Sequence, residues 1–479
     1  MKAWKTKWNV VVALLLFSGQ AFAAVEEGPF DAPAEFYVSG EPASLSEATR
    51  PPVNYEIFHK LTMQAGFGPE ESRLGSDNDM FYNFRYEPTF IWYSPEKVWS
   101  KWMIFGRAWF NYDSEYIGSS SLSDDNSYAN RKQPEYFYSE LRELYIKRNL
   151  IGDDPRFSAS LGRQRFYDKY GVWWDDSIES LRLNYTGTFM ESFLAVARKY
   201  YYYNTDVNKL DPRDDKITYI FGESFWRWST NNRFGVRLMY EEDSSANDPE
   251  DPEDFTGFRY GLFFTGDKLD LPFTDYHLEL MWLTGEVDTT AANWQTHQYD
   301  VEGWAVIGEI GKRFTDVTWQ PRIALYGGIT DDPGANDYGF RLNRIQSDRI
   351  IRPGSYSTHL VSSFVRINLQ NVMYYGVALN TNPTDRSSLD LRLSDIYLRD
   401  TEGDLPITLD TRYRRQRDYS SHSIGQVFDV TYYWKMFPQA HEGKHFDLNY
   451  LINASYFRAG DAIDSGDDYQ ASFGIVLKY

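Results

Sequence analysis

Tyr469-Gln470-Ala471-Ser472-Phe473-Gly474-Ile475-Val476-Leu477-Lys478-Tyr479 reads as one β-strand with two unlike faces. Side chains alternate along a strand, so Tyr469, Ala471, Phe473, Ile475, Leu477 and Tyr479 share one side, and Gln470, Ser472, Gly474, Val476 and Lys478 share the other. The first side suits lipid and the second suits water. The same split recurs in Phe234, Val236, Leu238 and Tyr240 against Arg233, Gly235, Arg237 and Glu241, and in Tyr276, Leu278, Leu280 and Trp282 against Asp275, His277 and Glu279. A slip of one residue would carry those charges into lipid, so the strand register is strongly specified.

Working outward, eighteen segments of this kind run from 55–67 to 468–479, among them 157–166, 190–204, 317–329 and 366–380. Clusters of Gly, Asp, Asn, Ser and Pro separate them, and connections alternate between short and long. Short ones fall at Ser94-Pro95-Glu96, Gly187-Thr188 and Asn231-Asn232, and long ones at 114–135, 244–256, 330–365 and 400–423. This is the pattern of an all-β protein, a transmembrane antiparallel β-barrel of the outer-membrane type with about 18 strands, an even number with short turns facing the periplasm.

The rest of the sequence agrees. Residues 1–24 carry Lys2, Lys5 and Lys7, an apolar run from Val10 to Phe17, and Ala21-Phe22-Ala23-Ala24, which together read as a signal peptide. Residues 25–54, rich in Glu, Pro, Ala and Ser, read as an unstructured or extended periplasmic arm, and 55–479 as the barrel. No other run is long and apolar enough for a transmembrane helix. There is no cysteine, which excludes disulfides and thiolate metal sites. Aromatic residues make up 18% of the chain, as aromatic girdles around a wet interior would require. The net charge is −20, and removing the three signal lysines would leave −23, which argues against nucleic acid as a partner.

Taking the inward parity of each strand, Arg85, Arg142, Arg182, Arg237, Arg259, Arg322 and Arg392 project into the channel. Guanidinium groups stay charged and hold carboxylates bidentately, so a ladder of them suits an anionic solute. Inward Glu87, Glu140, Glu279 and Asp390 leave a second reading open, in which the arginines are neutralised in structural ion pairs. His441-Glu442-Gly443-Lys444-His445 matches a zinc-protease pattern, but Pro438 and Gly443 place it in a turn, where no helix aligns the two histidines. No catalytic residue, metal or cofactor is assigned.

The stretch from Phe157 to Asp243 resembles the alginate export porins of bacterial outer membranes. The resemblance rests on Leu161-Gly162-Arg163-Gln164-Arg165, then Gly171-Val172-Trp173-Trp174-Asp175-Asp176-Ser177-Ile178-Glu179-Ser180-Leu181. It continues in Ala197-Arg198-Lys199, Thr205-Asp206, Phe221-Gly222-Glu223 and Phe234-Gly235-Val236-Arg237, and more loosely beyond residue 330. It implies an 18-stranded barrel in the outer membrane, surrounded by outer-membrane lipid. A narrow arginine-lined constriction would pass an anionic polysaccharide, a polyuronate, out from a periplasmic export machine.

The pore residues it implies are Lys60, Arg85, Arg142, Arg165, Asp175 and Asp206, with Arg344 and Arg352; Arg237, Arg322 and Arg392 join them from parity. Arg165 shares the parity of the lipid-facing Phe157, Ala159 and Leu161, so either a bulge near Gly162 resets the strand or the family position does not carry over to it. The penultimate strand offers Leu451 and Asn453 where the family has inward arginines, and the turn at 437–445 looks short. A passive porin for small anions or oligosaccharides is the alternative, and an adhesin or structural barrel a third reading.

Overall fold

The computed structural model describes residues 55–478 apart from 70–73, 75–79, 95–100, 115–135, 152–153, 169, 207–209, 211–213, 246–252, 270–271, 291–295, 333–337, 346–359, 363, 366, 408–419, 438–445 and 464–465. The signal and arm segments, Arg352 and the His441–His445 turn therefore lie outside the described residues.

The described chain forms β1 (Tyr55–Phe67), β2 (Phe81–Tyr93), β3 (Trp102–Asp113), β4 (Phe137–Ile151), β5 (Asp154–Tyr167), β6 (Asp175–Thr186), β7 (Met190–Arg198), β8 (Ile217–Ser229) and β9 (Asn232–Asp243). It continues with β10 (Glu253–Gly266), β11 (Asp275–Thr290), β12 (Thr296–Arg313), β13 (Arg322–Thr330), β14 (Val372–Thr384), β15 (Ser387–Leu398), β16 (Ser423–Phe437), β17 (Asp447–Ala459) and β18 (Asp468–Lys478). Every strand pairs antiparallel with its sequence neighbours, and β1 pairs with β18 from Lys60↔Lys478 to Phe67↔Ala471. The sheet is a closed 18-stranded barrel, so no strand edge is left for lipid to solvate.

Period-2 patterning sets which side each residue takes. Leu181, Leu183, Leu194, Val196, Ile220, Leu238, Phe258, Leu325 and Leu393 are exposed on the outside, an apolar surface that needs lipid rather than water around it. A Lys or Arg placed there would cost about 2–4 kcal/mol at the bilayer midplane, which is what holds the register. Leu451 and Asn453 both face inward from β17 and are buried.

Several of the expected strands have different limits, and three of them differ for a plain local reason. The segment 190–204 leaves the wall after Arg198, and Lys199 turns into the interior. Residues 317–321 form a turn in which Trp319 and Gln320 take φ of 69° and 42°, and Pro321, which has no N–H to give a ladder, precedes β13. The apolar residues Ile367 and Leu369 precede β14 and lie buried inside the barrel.

The interior also departs from a simply wet lumen. Tyr170 and Val172–Trp174, between β5 and β6, join Phe340, Ile345, Val361, Val365, Ile367 and Leu369, between β13 and β14, in one apolar cluster with inward wall residues such as Phe221 and Met281. Gly303 on β12 makes room for this: a Cβ there would lie 2.1 Å from the backbone nitrogen of Phe340. Two connections thus fold inward and narrow the barrel from one side.

Candidate substrate-conducting lumen

On the wall formed by β2, β3 and β4, the Arg85 and Arg142 guanidiniums lie 3.8 and 4.2 Å from the centroid of the Trp109 ring. A bulge builds this arrangement. β3 pairs Arg107 with Glu143 and then Ala108 with Leu141, so Arg142 is the extra residue, and Glu140, Arg142 and Glu143 are all buried. Arg85 donates to Asn111 at 2.8 Å. Arg142 lies 4.0 Å from Glu140 and 3.8 Å from Asp176. Arg107 pairs with Glu87 and with Glu143. Two like charges share one indole because its π-face attracts both while carboxylates at the edges offset their repulsion.

Above this wall the β5–β6 hairpin bends into the barrel. Asp168 fastens its tip by accepting the backbone N–H groups of Tyr170, Val172, Trp173 and Trp174 at 2.9–3.2 Å. Burial pushes the Asp168 carboxyl above its ordinary range, with Glu279 adding to the rise and Arg237 opposing it. The Trp173 indole donates to Glu279 on β11 at 2.5 Å, and Asn343 donates to the Trp173 carbonyl at 2.7 Å.

This bend corrects the expectation for Arg165. The β5–β6 register runs unbroken through Gly162↔Ser180, so no bulge resets the parity. The hairpin tip lies inside, so both of its faces are enclosed. Arg165 is buried and pairs with Asp175 at 3.0 Å. Gly162, at φ 133°, instead allows a close approach, since a Cβ would lie 2.3 Å from the Leu144 carbonyl. Next to this pair, Lys199 bridges Asp176 at 3.2 Å and Asp214 at 3.5 Å and donates to the Arg344 carbonyl at 2.8 Å. Burial alone would lower the Lys199 ammonium; Asp214 and Asp176 outweigh it and hold it above the ordinary lysine range.

Arg85, Arg142, Arg165, Asp175 and the Arg344 backbone therefore belong to one linked cluster. Asp206 joins its margin, with its backbone N–H donating to Asn204 at 2.8 Å while Asn204 bridges Glu140. Lys60 sits on β1, half-buried, in register with Glu87 and Lys478. Arg237, Arg322 and Arg392 belong to separate groups. Arg237 pairs with Glu223 at 2.6 Å and Glu279 at 2.5 Å, Arg322 with Asp275 and Glu309 at 2.5 Å each, and Arg392 with Asp390 at 3.5 Å. Arg259 pairs with Glu241 at 3.4 Å.

Trp109, Arg107, Asp176 and Lys199 were not among the expected residues. The first two were within reach of the pattern, because Arg107, Trp109, Asn111 and Asp113 alternate along β3 and all are buried. Asp176 and Lys199 had no such signal; their roles depend on the inward bend. Among the described residues, no group of His, Asp or Glu is arranged to hold a metal ion.

A family model described as alginate export matches residues 110–476. The alginate production protein AlgE of Pseudomonas aeruginosa is 26% identical over 271 residues, covering 52% of this chain and 53% of its own length. The protein of the same name from Pseudomonas syringae pv. tomato is 30% identical over 213 residues, covering 40% and 43%. The chain spans about half, or less, of the length of these curated relatives. Among solved structures, Pseudomonas aeruginosa OccD3 (OpdP) superposes with a TM-score of 0.56 at 10% identity, covering 90% of this chain and 92% of that one. Acinetobacter baumannii OccAB1 gives 0.53 at 12% identity, covering 89% and 96%. At such identities the likeness shows the barrel fold alone.

Proposed function

This chain belongs to the alginate export family, and on that premise we propose that it conducts alginate or a related acidic polysaccharide outward through an arginine-lined lumen. Its place is the bacterial outer membrane, where the lipid-facing outside of the closed barrel requires it to be. The observation that carries the reading is the pair of guanidiniums on Trp109, beside the Arg165–Asp175 and Lys199–Asp176 pairs. Arginines already shared among carboxylates bind a passing uronate by exchange, one ion pair replacing another. A polyanion is thereby held weakly at several points and can still slide. No catalytic step is assigned, and periplasmic components of an export machine are the partners this reading calls for.

A passive porin for small anions or oligosaccharides is the second reading. It is favoured by the inward Leu451 and Asn453 on β17, which add no positive charge to that side of the lumen. Block of the reconstituted channel by a polyuronate, compared with a neutral dextran of the same size, separates the two. Selective block by the polyuronate is expected; equal indifference to both polymers in an open channel would give the passive porin.

A further inference from the structure

Two cations on the inner wall stand apart from the paired arginines. On β4, after the Arg142 bulge, odd-numbered residues face inward, and Lys147 is half-buried on that side. Lys147 is in register with Ser160 on β5, and Ser160 with Arg182 on β6. The two cations thus flank Ser160 across two inter-strand spacings, with α-carbons about 10 Å apart. Each lies four residues from a strand end at the short-turn rim, Ile151 for Lys147 and Thr186 for Arg182. This is the rim on the periplasmic side for an outer-membrane barrel.

The Arg182 guanidinium lies over two rings, 4.3 Å from the Phe193 centroid and 5.1 Å from that of Phe166. Its edge is uncommitted: its buried Nε has no hydrogen-bond partner, and among the described residues no carboxylate lies within ion-pair distance of Arg182 or Lys147. The carboxylates whose fields reach Arg182, Glu143 and Glu223, are engaged by Arg107 and Arg237. A guanidinium held against two aromatic rings has less rotational freedom to lose when it binds, which is the preorganisation a carboxylate site needs. Two like charges left facing each other in a half-buried wall are stabilised by an anion placed between them.

We propose that Lys147 and Arg182, on either side of Ser160, form a carboxylate-binding subsite at the periplasmic end of the lumen, taking a uronate unit of the polymer before it reaches the Arg85–Trp109–Arg142 wall. The proposal rests on the transport reading above and adds to it the first point of capture.

The test is block of single channels by a defined-length oligouronate added on the short-turn side, for wild type, K147Q/R182Q and K147R/R182K. Neutral dextran serves as control, and heat-modifiable gel mobility as the check on folding. The glutamine pair should weaken block roughly tenfold, the loss of a charge-assisted contact, and the charge-conserving pair should weaken it less. If the double glutamine variant does not fold, R182Q alone should lose part of the block. Block by the oligouronate that survives in the glutamine variants overturns this subsite and leaves the transport reading standing. Absence of block in wild type overturns the transport reading itself.

Discussion

At the scale of single residues, Trp109 is the side chain on which the proposed lumen turns. Its indole holds two guanidiniums at once, each cation–π contact contributing roughly 0.5–1 kcal/mol or more where water is excluded. Trp109→Leu keeps an apolar side chain and removes the π-face, so Arg85 and Arg142 should lose their fixed spacing. Polyuronate block should weaken about threefold to tenfold by that estimate while the barrel still folds. Undiminished block in the leucine variant would show that the indole does not organise the site. Lys199 supplies a second expectation. Its pKa is raised, so the stability it contributes is fully present below the ordinary lysine pKa and is lost only as pH rises through the higher folded value. Conductance should therefore be flat from about pH 6 to pH 9 on account of this group, and K199M should lower stability across that whole window. A titration of the wild-type conductance inside that window that K199M abolishes would contradict the assignment.

At the scale of elements, the β5–β6 hairpin decides how far the lumen narrows. Asp168 ties four backbone N–H groups of its buried tip, so Asp168→Ala would leave those donors without their acceptor, at about 1–3 kcal/mol for each one not re-satisfied. Release of the tip should raise single-channel conductance while the heat-resistant barrel band persists on gels. An unchanged conductance would mean that the tip does not obstruct the path. Gly162→Val places a Cβ against the Leu144 carbonyl at a positive φ, and should lower the thermal stability of the barrel by about 1–3 kcal/mol. A neutral result would remove the close approach of β4 and β5 from the account.

How much of this was legible in the sequence differs by element. The wall was legible because lipid enforces period-2 alternation: Phe234–Tyr240 and Tyr469–Tyr479 show their two faces without any partner in view. The charged cluster was legible in part. Arg85 and Arg142 follow from alternation, whereas Arg165 reaches the interior because its hairpin bends and not because its parity changes. Ile367 and Leu369 have the spacing of a strand and are instead part of an inward connection, since an apolar side chain packs as well against a lumen wall as within a sheet.

At the scale of the whole molecule, the charge is arranged in layers. The chain is strongly acidic, at −20, and at the long-loop end Glu286, Asp300, Glu302, Asp331 and Asp332 line a cavity of about 880 Å³ with Tyr299 and Tyr338. Lys147 and Arg182 lie toward the opposite, short-turn end of the wall. Attraction for a polyanion therefore acts within the lumen and over short distances, and salt should screen it. Raising KCl from about 0.1 to 1 M, which shortens the Debye length from about 10 to 3 Å, should weaken polyuronate block steeply and leave dextran unaffected. Block that is insensitive to salt would point to steric plugging instead.

The central claim is that a polyuronate passes through this barrel rather than lodging in it. The most direct measurement is the residence time of a defined-length oligouronate in a single reconstituted channel as the driving voltage is raised. A polymer that translocates leaves sooner as the field pulls it through, so residence should fall with voltage. Residence that only lengthens with voltage, or an oligouronate that does not interrupt the current at all, would contradict the account.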